Sequence, residues 1–390
     1  MLRLSTFRNA IPLVPIALYL SIPAWADSSL TRELARSFEV QDRVSYRNIA
    51  GAVTIEPATG GATSVRAVVH AGGKTTEEAQ ALLDALDLRF EEKAGELIIE
   101  ARYPLDRHQT YHYPEFRREG SSSTTNSSYD GKRVTVTTRK GGDAATLWVD
   151  LELHLQRGVG VQVKELMGQV RVSGVEGSVS VENGTGDITV DGMRGDLAAE
   201  TGSGDVEVRG QRGAVLIDTG SGDVTVDDVE GDLDADSGSG DVTVAKATGN
   251  VRVDTGSGDV ELRSVVGSIE IQTGSGDTYI GDAEGKMVTV DTGAGSIEVA
   301  SPALFRDPAS TKARFDTGSG DVILLIDEKV SMLLQFSSGS GRVRSPRVLA
   351  DRIERLGDRG DRRYRIGGGG ASQVTVDTGA GDVVLKLAGE

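Results

Sequence analysis

The sequence contains no cysteine, only 4 histidines and 2 tryptophans, and just 15 phenylalanines and tyrosines in 390 residues. Without cysteine there is no disulfide framework, no thiolate metal site and no lipid anchor on an N-terminal cysteine. An oxidising compartment would therefore leave the fold unaffected. So few aromatic residues argue against a core of large rings, and only 9 prolines are available to break regular structure. Beyond residue 22 no apolar run approaches the ~20 residues of a spanning helix. The C-terminus, Leu385 to Glu390, carries neither a hydrophobic tail nor a terminal aromatic strand.

The abundant residues are glycine, 51 in all, and acids, 59 against 42 lysines and arginines. The chain opens with Arg3 and Arg8, an apolar stretch from Ile11 to Ile22, and Ala24-Trp25-Ala26. That order is the pattern of a secretory signal peptide over 1–26, cleaved before Asp27. Its removal takes away two arginines and no acid, so the formal charge moves from -17 to -19. Nucleic acid and anionic lipid are poor partners for such a surface.

Internal repetition is the strongest signal. Glycine recurs every ninth residue from Gly168 to Gly285. Alternate members share a longer motif: Thr201-Gly202-Ser203-Gly204-Asp205-Val206-Glu207-Val208 returns as Thr219 to Val226, Ser237 to Val244 and Thr255 to Leu262. The unit is thus eighteen residues in two unequal halves. Each half pairs a glycine corner with an apolar, variable, apolar triplet, and alternation with period two is the signature of a strand. Val206, Val208, Val215 and Ile217 then face inward, and they become buried only if successive coils stack at ~4.8 Å. The expected fold is all-β, a right-handed parallel β-solenoid (β-helix) with ~18-residue coils of two short strands. Glycine at the corners is expected to supply positive φ, with Asp, Asn or Ser binding turn amides.

Around this array, 166–300, the sequence divides into an N-terminal irregular solenoid region over 27–165 and C-terminal coils with inserted loops over 301–390. Strands are expected at 37–40, 51–55, 65–69, 96–101 and 134–138, and a short helix over 75–86 capped by Thr75 or Thr76. The Ser- and Thr-rich stretch 109–132 is expected to be an exposed loop, and the Arg-rich insert 344–370 to cover the end of the coil stack.

These features resemble a family of exported bacterial adhesins with β-strand repeats, the adhesin head-domain-like DUF4097 type. The carrying residues are Phe38-Glu39-Val40, Asn48 to Ile55, and the Gly-Ser-Gly-Asp-Val turns between Gly184 and Asp277. The resemblance covers most of the chain after residue 26, although 109–132 and the Arg-rich insert depart from the family pattern. It implies the fold and an adhesion role.

Three groups of residues could carry chemistry. Asp187, Asp205, Asp223, Asp241, Asp259 and Asp277 would form one column if coils stack in register. Turn amides and hydroxyls such as those of Ser203 and Ser221 would satisfy them, or, as the alternative, a row of Ca²⁺ ions in the manner of a calcium-binding β-roll. His108 and His112 lie four apart and could hold a metal on a helix, but the segment ends at Pro114 and reads as loop. In that loop Tyr111, Tyr113, Phe116 and Arg117 form a possible partner-contact patch. The outward positions Thr189, Glu207, Thr225, Thr243, Glu261 and Tyr279 show no stacked aromatic ladder, and no nucleophile-base constellation stands out. The expected function is an exported, non-enzymatic structural or interaction protein of the bacterial envelope, without a cofactor. It would be periplasmic, secreted or on the cell surface, with an envelope protein or glycan as partner and no integral membrane segment. Alternatives are the calcium-binding repeat protein and a polysaccharide-active β-helix enzyme.

Overall fold

The computed structural model describes residues 28–40, 42–114, 123–139, 141–306, 311–356, 362–368 and 372–388. The signal peptide expected over 1–26 lies outside them, as do Phe116 and Arg117. Two compact units emerge: Met1–Ser178 with Glu182–Thr185, and Val179–Val181 with Gly186–Glu390.

The second unit is a parallel β-solenoid with two strands per coil. On one sheet Val206 stands beside Val224, then Val242, then Val260, each step in parallel register and eighteen residues long. On the other sheet the same step links Val215, Leu233, Val251 and Ile269. Val206, Val208, Val215 and Ile217 are all buried, as the period-two pattern requires. Burial of each aliphatic side chain contributes about 1.5–3 kcal/mol, and the columns make that gain repeat in every coil.

Two features of the coil depart from simple alternation. The first strand runs on to seven residues, as in Val206–Arg212 and Val224–Glu230. Its fifth residue is left-handed: Gly192, Gly210, Asp228, Lys246, Ser264 and Asp282 have φ between 50° and 63°. That kink turns the following residue inward, so Met193, Gln211, Val229, Ala247, Val265 and Ala283 form a third buried column. The second departure is the reason for glycine at the Gly-Ser-Gly-Asp corner. A Cβ on Gly222 would sit 1.7 Å from the Gly204 carbonyl oxygen, and one on Gly240 1.9 Å from that of Gly222. These glycines are required by the close approach of stacked backbones, and at the other corner Gly213, Gly231, Gly249 and Gly267 combine such an approach with positive φ.

Past residue 311 the coils stop stacking in chain order. Lys312–Thr317 pairs with Ser372–Thr378, which pairs in turn with Ser331–Ser338. On the opposite sheet Val322–Ile326 pairs with Val383–Leu387, and that with Val343–Arg344. The last coil of the chain is therefore inserted between its two predecessors. Within the Arg-rich insert, Arg363–Gly367 pairs antiparallel with Ser331–Ser338 and also with Ile353–Arg355. Arg362 donates to the carbonyl oxygens of Ser338 and Gly341 at 3.4 and 3.1 Å, and its guanidinium lies over the Phe336 ring.

The first unit, where an irregular solenoid is expected over 27–165, mixes parallel and antiparallel pairing. Val53–Pro57 pairs parallel with 151–155, and Arg43–Arg47 lies parallel between 160–164 and 96–100. Thr63–Gly73, however, runs antiparallel to both Ser28–Phe38 and Ala145–Leu155. Helix α1, Thr76–Ala85, follows the sequence pattern: Thr75 Oγ1 accepts from the Glu78 amide at 3.3 Å, and Ala79 and Leu83 are buried. The core includes Tyr46, Tyr103, Tyr111, Tyr129 and Trp148.

The expected loop 109–132 is corrected to strand in its described parts. Thr110–His112 pairs with 135–137, and Thr124–Tyr129 forms a hairpin with Lys132–Thr137. The hairpin turn is Asp130-Gly131, both residues left-handed at φ 50° and 73°, the conformation that suits the strand twist. Thr124 to Ser128 is polar enough to look like loop, but threonine is a good strand former and this hairpin exposes one face.

Candidate functional site

The aspartate column of the second unit is an internal ladder. The Asp205 amide donates to Asp187 Oδ1 at 3.0 Å, Asp223 to Asp205 at 3.1 Å, and Asp241 to Asp223 at 3.0 Å. Asp259, Asp277 and Ser296 continue the series at 2.8, 2.8 and 2.7 Å. Each carboxylate thus fixes the corner one coil on. The partners supplied are main-chain amides, while Ser203 and Ser221 stand exposed. A buried hydroxyl column, unassigned in the sequence pattern though visible in it, completes the corner. Thr255 Oγ1 donates to the Gly240 carbonyl and accepts from the Gly258 amide, both at 3.1 Å, and Thr219, Ser237 and Thr273 repeat the pair. Among the described residues no group of three or more His, Asp or Glu is arranged to hold a metal.

In the first unit the equivalent position carries larger polar groups. Asn48 Nδ2 donates to Glu165 Oε1 at 2.8 Å and to the carbonyl oxygens of Ala50 and Val149, and Asn48 Oδ1 accepts from the Tyr103 hydroxyl at 2.8 Å. Glu165 is buried and its Oε2 has no hydrogen-bond partner. Burial pushes its pKa well above the usual carboxylate range; the Asn48 amide opposes that shift and the charge of Asp150 adds to it. Burial likewise raises Tyr46 and Tyr103. These are structural groups, since all of them are enclosed.

Of the expected contact patch, Phe116 and Arg117 lie outside the described residues. Tyr111 and Tyr113 are 0% and 3% exposed. Tyr111 packs edge-on against Tyr103 and Tyr113 against Trp148, because the strand Thr110–His112 is an inner strand of its sheet. They cannot meet a partner in this state.

What the same segment does border is a cleft of about 880 Å³ within the first unit. One wall is helix α1, presenting Glu78, Ala81, Leu82 and Ala85 at helical spacing. The facing wall is the turn Arg107 to Gln109 followed by Thr110 and His112, and the 141–146 segment closes the third side. His112 Nδ1 lies 3.3 Å from Thr146 Oγ1. His108 and His112 therefore share one concavity, although on a turn and a strand and not on a helix. Sequence reasoning noticed the pair but not the cleft, whose walls come from segments some seventy residues apart.

Comparison with known proteins places this geometry in a family. Solved structures similar to the chain include a putative cell adhesion protein from Clostridium sporogenes ATCC 15579, at 7% identity over 92% of this chain and all of that one, with a TM-score of 0.19. A putative adhesin from Bacteroides fragilis NCTC 9343 is 10% identical over 91% of this chain and 97% of its own, with a TM-score of 0.27. A putative lipid binding protein from Parabacteroides distasonis ATCC 8503 gives the same identity and coverage with a TM-score of 0.29. At these scores the likenesses carry no argument about residues. No curated protein matches the sequence. The family described as Toastrack DUF4097 matches over residues 118–244 and again over 231–386. The two spans overlap, as a repeat entered at different coils would. Together they cover more than half of the sequence, and the chain belongs to the Toastrack DUF4097 family.

Proposed function

We propose that the chain is an exported, non-enzymatic interaction protein of the bacterial envelope, adhesin-like, acting outside the cytoplasm on an envelope protein or glycan. The observation that carries this reading is the division of polar chemistry. The corner carboxylates and hydroxyls of the second unit are tied coil by coil to main-chain groups, which suits a scaffold and offers no unique reactive centre. Membership of the Toastrack DUF4097 family and the adhesion labels on the structures from Clostridium and Bacteroides accord with this role. The pattern of residues 1–26 supports export.

Cell fractionation with protease access to the intact envelope tests the location, and the protein is expected outside the inner membrane. Crosslinking in intact cells, combined with attachment assays of a deletion strain, tests the role. Unchanged attachment with no crosslinked envelope partner would remove it.

A further inference from the structure

We propose that the cleft beside helix α1 binds a small anionic ligand through a carboxylate or phosphate group. This goes beyond the adhesin-like reading, because a small-ligand site stands whether or not the chain attaches cells to anything.

The cleft has the volume of a small-molecule site, which typically spans about 300–1,000 Å³. Its chemistry is polarised. Ala81, Leu82 and Ala85 give it an apolar side, while Lys74, Arg107 and His108 bring three basic side chains to its border. Several bases of this chain are held by acids. Arg66 binds both Glu33 and Glu152, Lys132 binds Asp106, and Lys164 binds Glu182. Among the described residues no carboxylate pairs with the side chain of Lys74, Arg107 or His108, although all three lie in a concave site where opposed charge has most effect.

Two acids line the same cleft. Glu78 Oε2 accepts the Lys74 main-chain amide at 2.9 Å, which ties that carboxylate to the helix start. Asp143 lies on the 141–146 side of the cleft. Deeper in, His112 is 2% exposed and stands 3.3 Å from Thr146 Oγ1, a polar pair set into the wall. The balance is an apolar side for the body of a ligand and a basic border for its charge. Arginine and lysine are the residues that recognise carboxylate and phosphate oxygens. The family match begins at residue 118, so most of the cleft wall lies before it.

The test is titration of the purified mature chain with inorganic phosphate, with glucuronate and with uncharged glucose, followed by NMR or calorimetry. The geometry predicts that at least one anion binds, with a Kd at or below ~1 mM, and that glucose does not. Phosphate and glucuronate separate the two oxyanion chemistries. Lys74→Gln and Arg107→Gln should each weaken anion binding about tenfold, the scale of one charge-assisted hydrogen bond. Asp143→Asn should tighten it. All three positions are exposed, so melting temperatures should not move, and Lys246→Gln in the second unit should leave binding unchanged. The proposal is overturned if neither anion binds by ~10 mM, if glucose binds as well as glucuronate, or if the Lys74 and Arg107 variants bind like the wild type.

Discussion

The two units of this chain bury comparable secondary structure by different means, and glycine makes the contrast sharp. In the second unit a corner glycine is fixed by its neighbour one coil away: the Cβ of an alanine at 240 would lie 1.9 Å from the Gly222 oxygen. In the first unit Gly131 has nothing within 4 Å of the same imaginary atom and is fixed only by its φ of 73°. One glycine answers to the stack, the other to its own backbone. The cores follow suit, aliphatic columns in one unit and, in the other, Tyr111 and Tyr129 edge-on to Tyr103 with Tyr113 against Trp148.

The largest expected effect comes from breaking the stack. Gly240→Ala should cost more than about 4 kcal/mol, since the clash is with ladder backbone that cannot yield, whereas Gly131→Ala should cost about 1 kcal/mol from left-handed strain alone. Chemical denaturation of the two variants checks the ranking, and equal losses would erase the distinction between the units. Next, Thr255→Val removes a hydroxyl that both donates and accepts at a buried corner. It should cost about 2–3 kcal/mol and speed amide exchange at Gly258.

The first unit should respond instead to pH. The folded pKa of Glu165 is raised above its ordinary value of 4.5, so its stabilising contribution is complete below that pH and is lost as pH rises toward the folded value. Glu165→Gln keeps the bond from Asn48 and removes the titration. Its melting temperature should exceed that of the wild type at pH 8, with the gap closing toward pH 4; a gap independent of pH would refute the assignment. The smallest effect is a gain. Thr278 stands in the inward valine column with an unpartnered Oγ1, and Thr278→Val should stabilise the second unit by about 1 kcal/mol.

The stack was highly legible because its contacts are repeats of one local pattern. Gly-Ser-Gly-Asp followed by Val-x-Val names its neighbours in advance: whatever stands at 224 must meet 206 and 242. Inside the coil the pattern misled at one point, since the left-handed kink at Lys246 or Ser264 has no distinctive residue and the buried column after it was missed. The first unit was less legible. Asp130-Gly131 is a strong hairpin signal that the surrounding serines and threonines obscured. The antiparallel pairing of Thr63–Gly73 with Ala145–Leu155 joins segments with no shared pattern. The burial of Tyr111 and Tyr113 was hidden for the same reason, because strand alternation says which side chains share a face and not which face is covered.

Period, coil-to-coil register and the aliphatic interior were thus determined by the amino-acid sequence alone, since each follows from short-range spacing and is reinforced at every coil. Tertiary structure alone decided the insertion of coil 372–387 between two earlier coils, the burial of Tyr111 and Tyr113, and the meeting of Lys74, Arg107 and Asp143 around one cleft. Those outcomes depend on which distant segments close against each other, and a loop of almost any length can join them at little additional entropic cost.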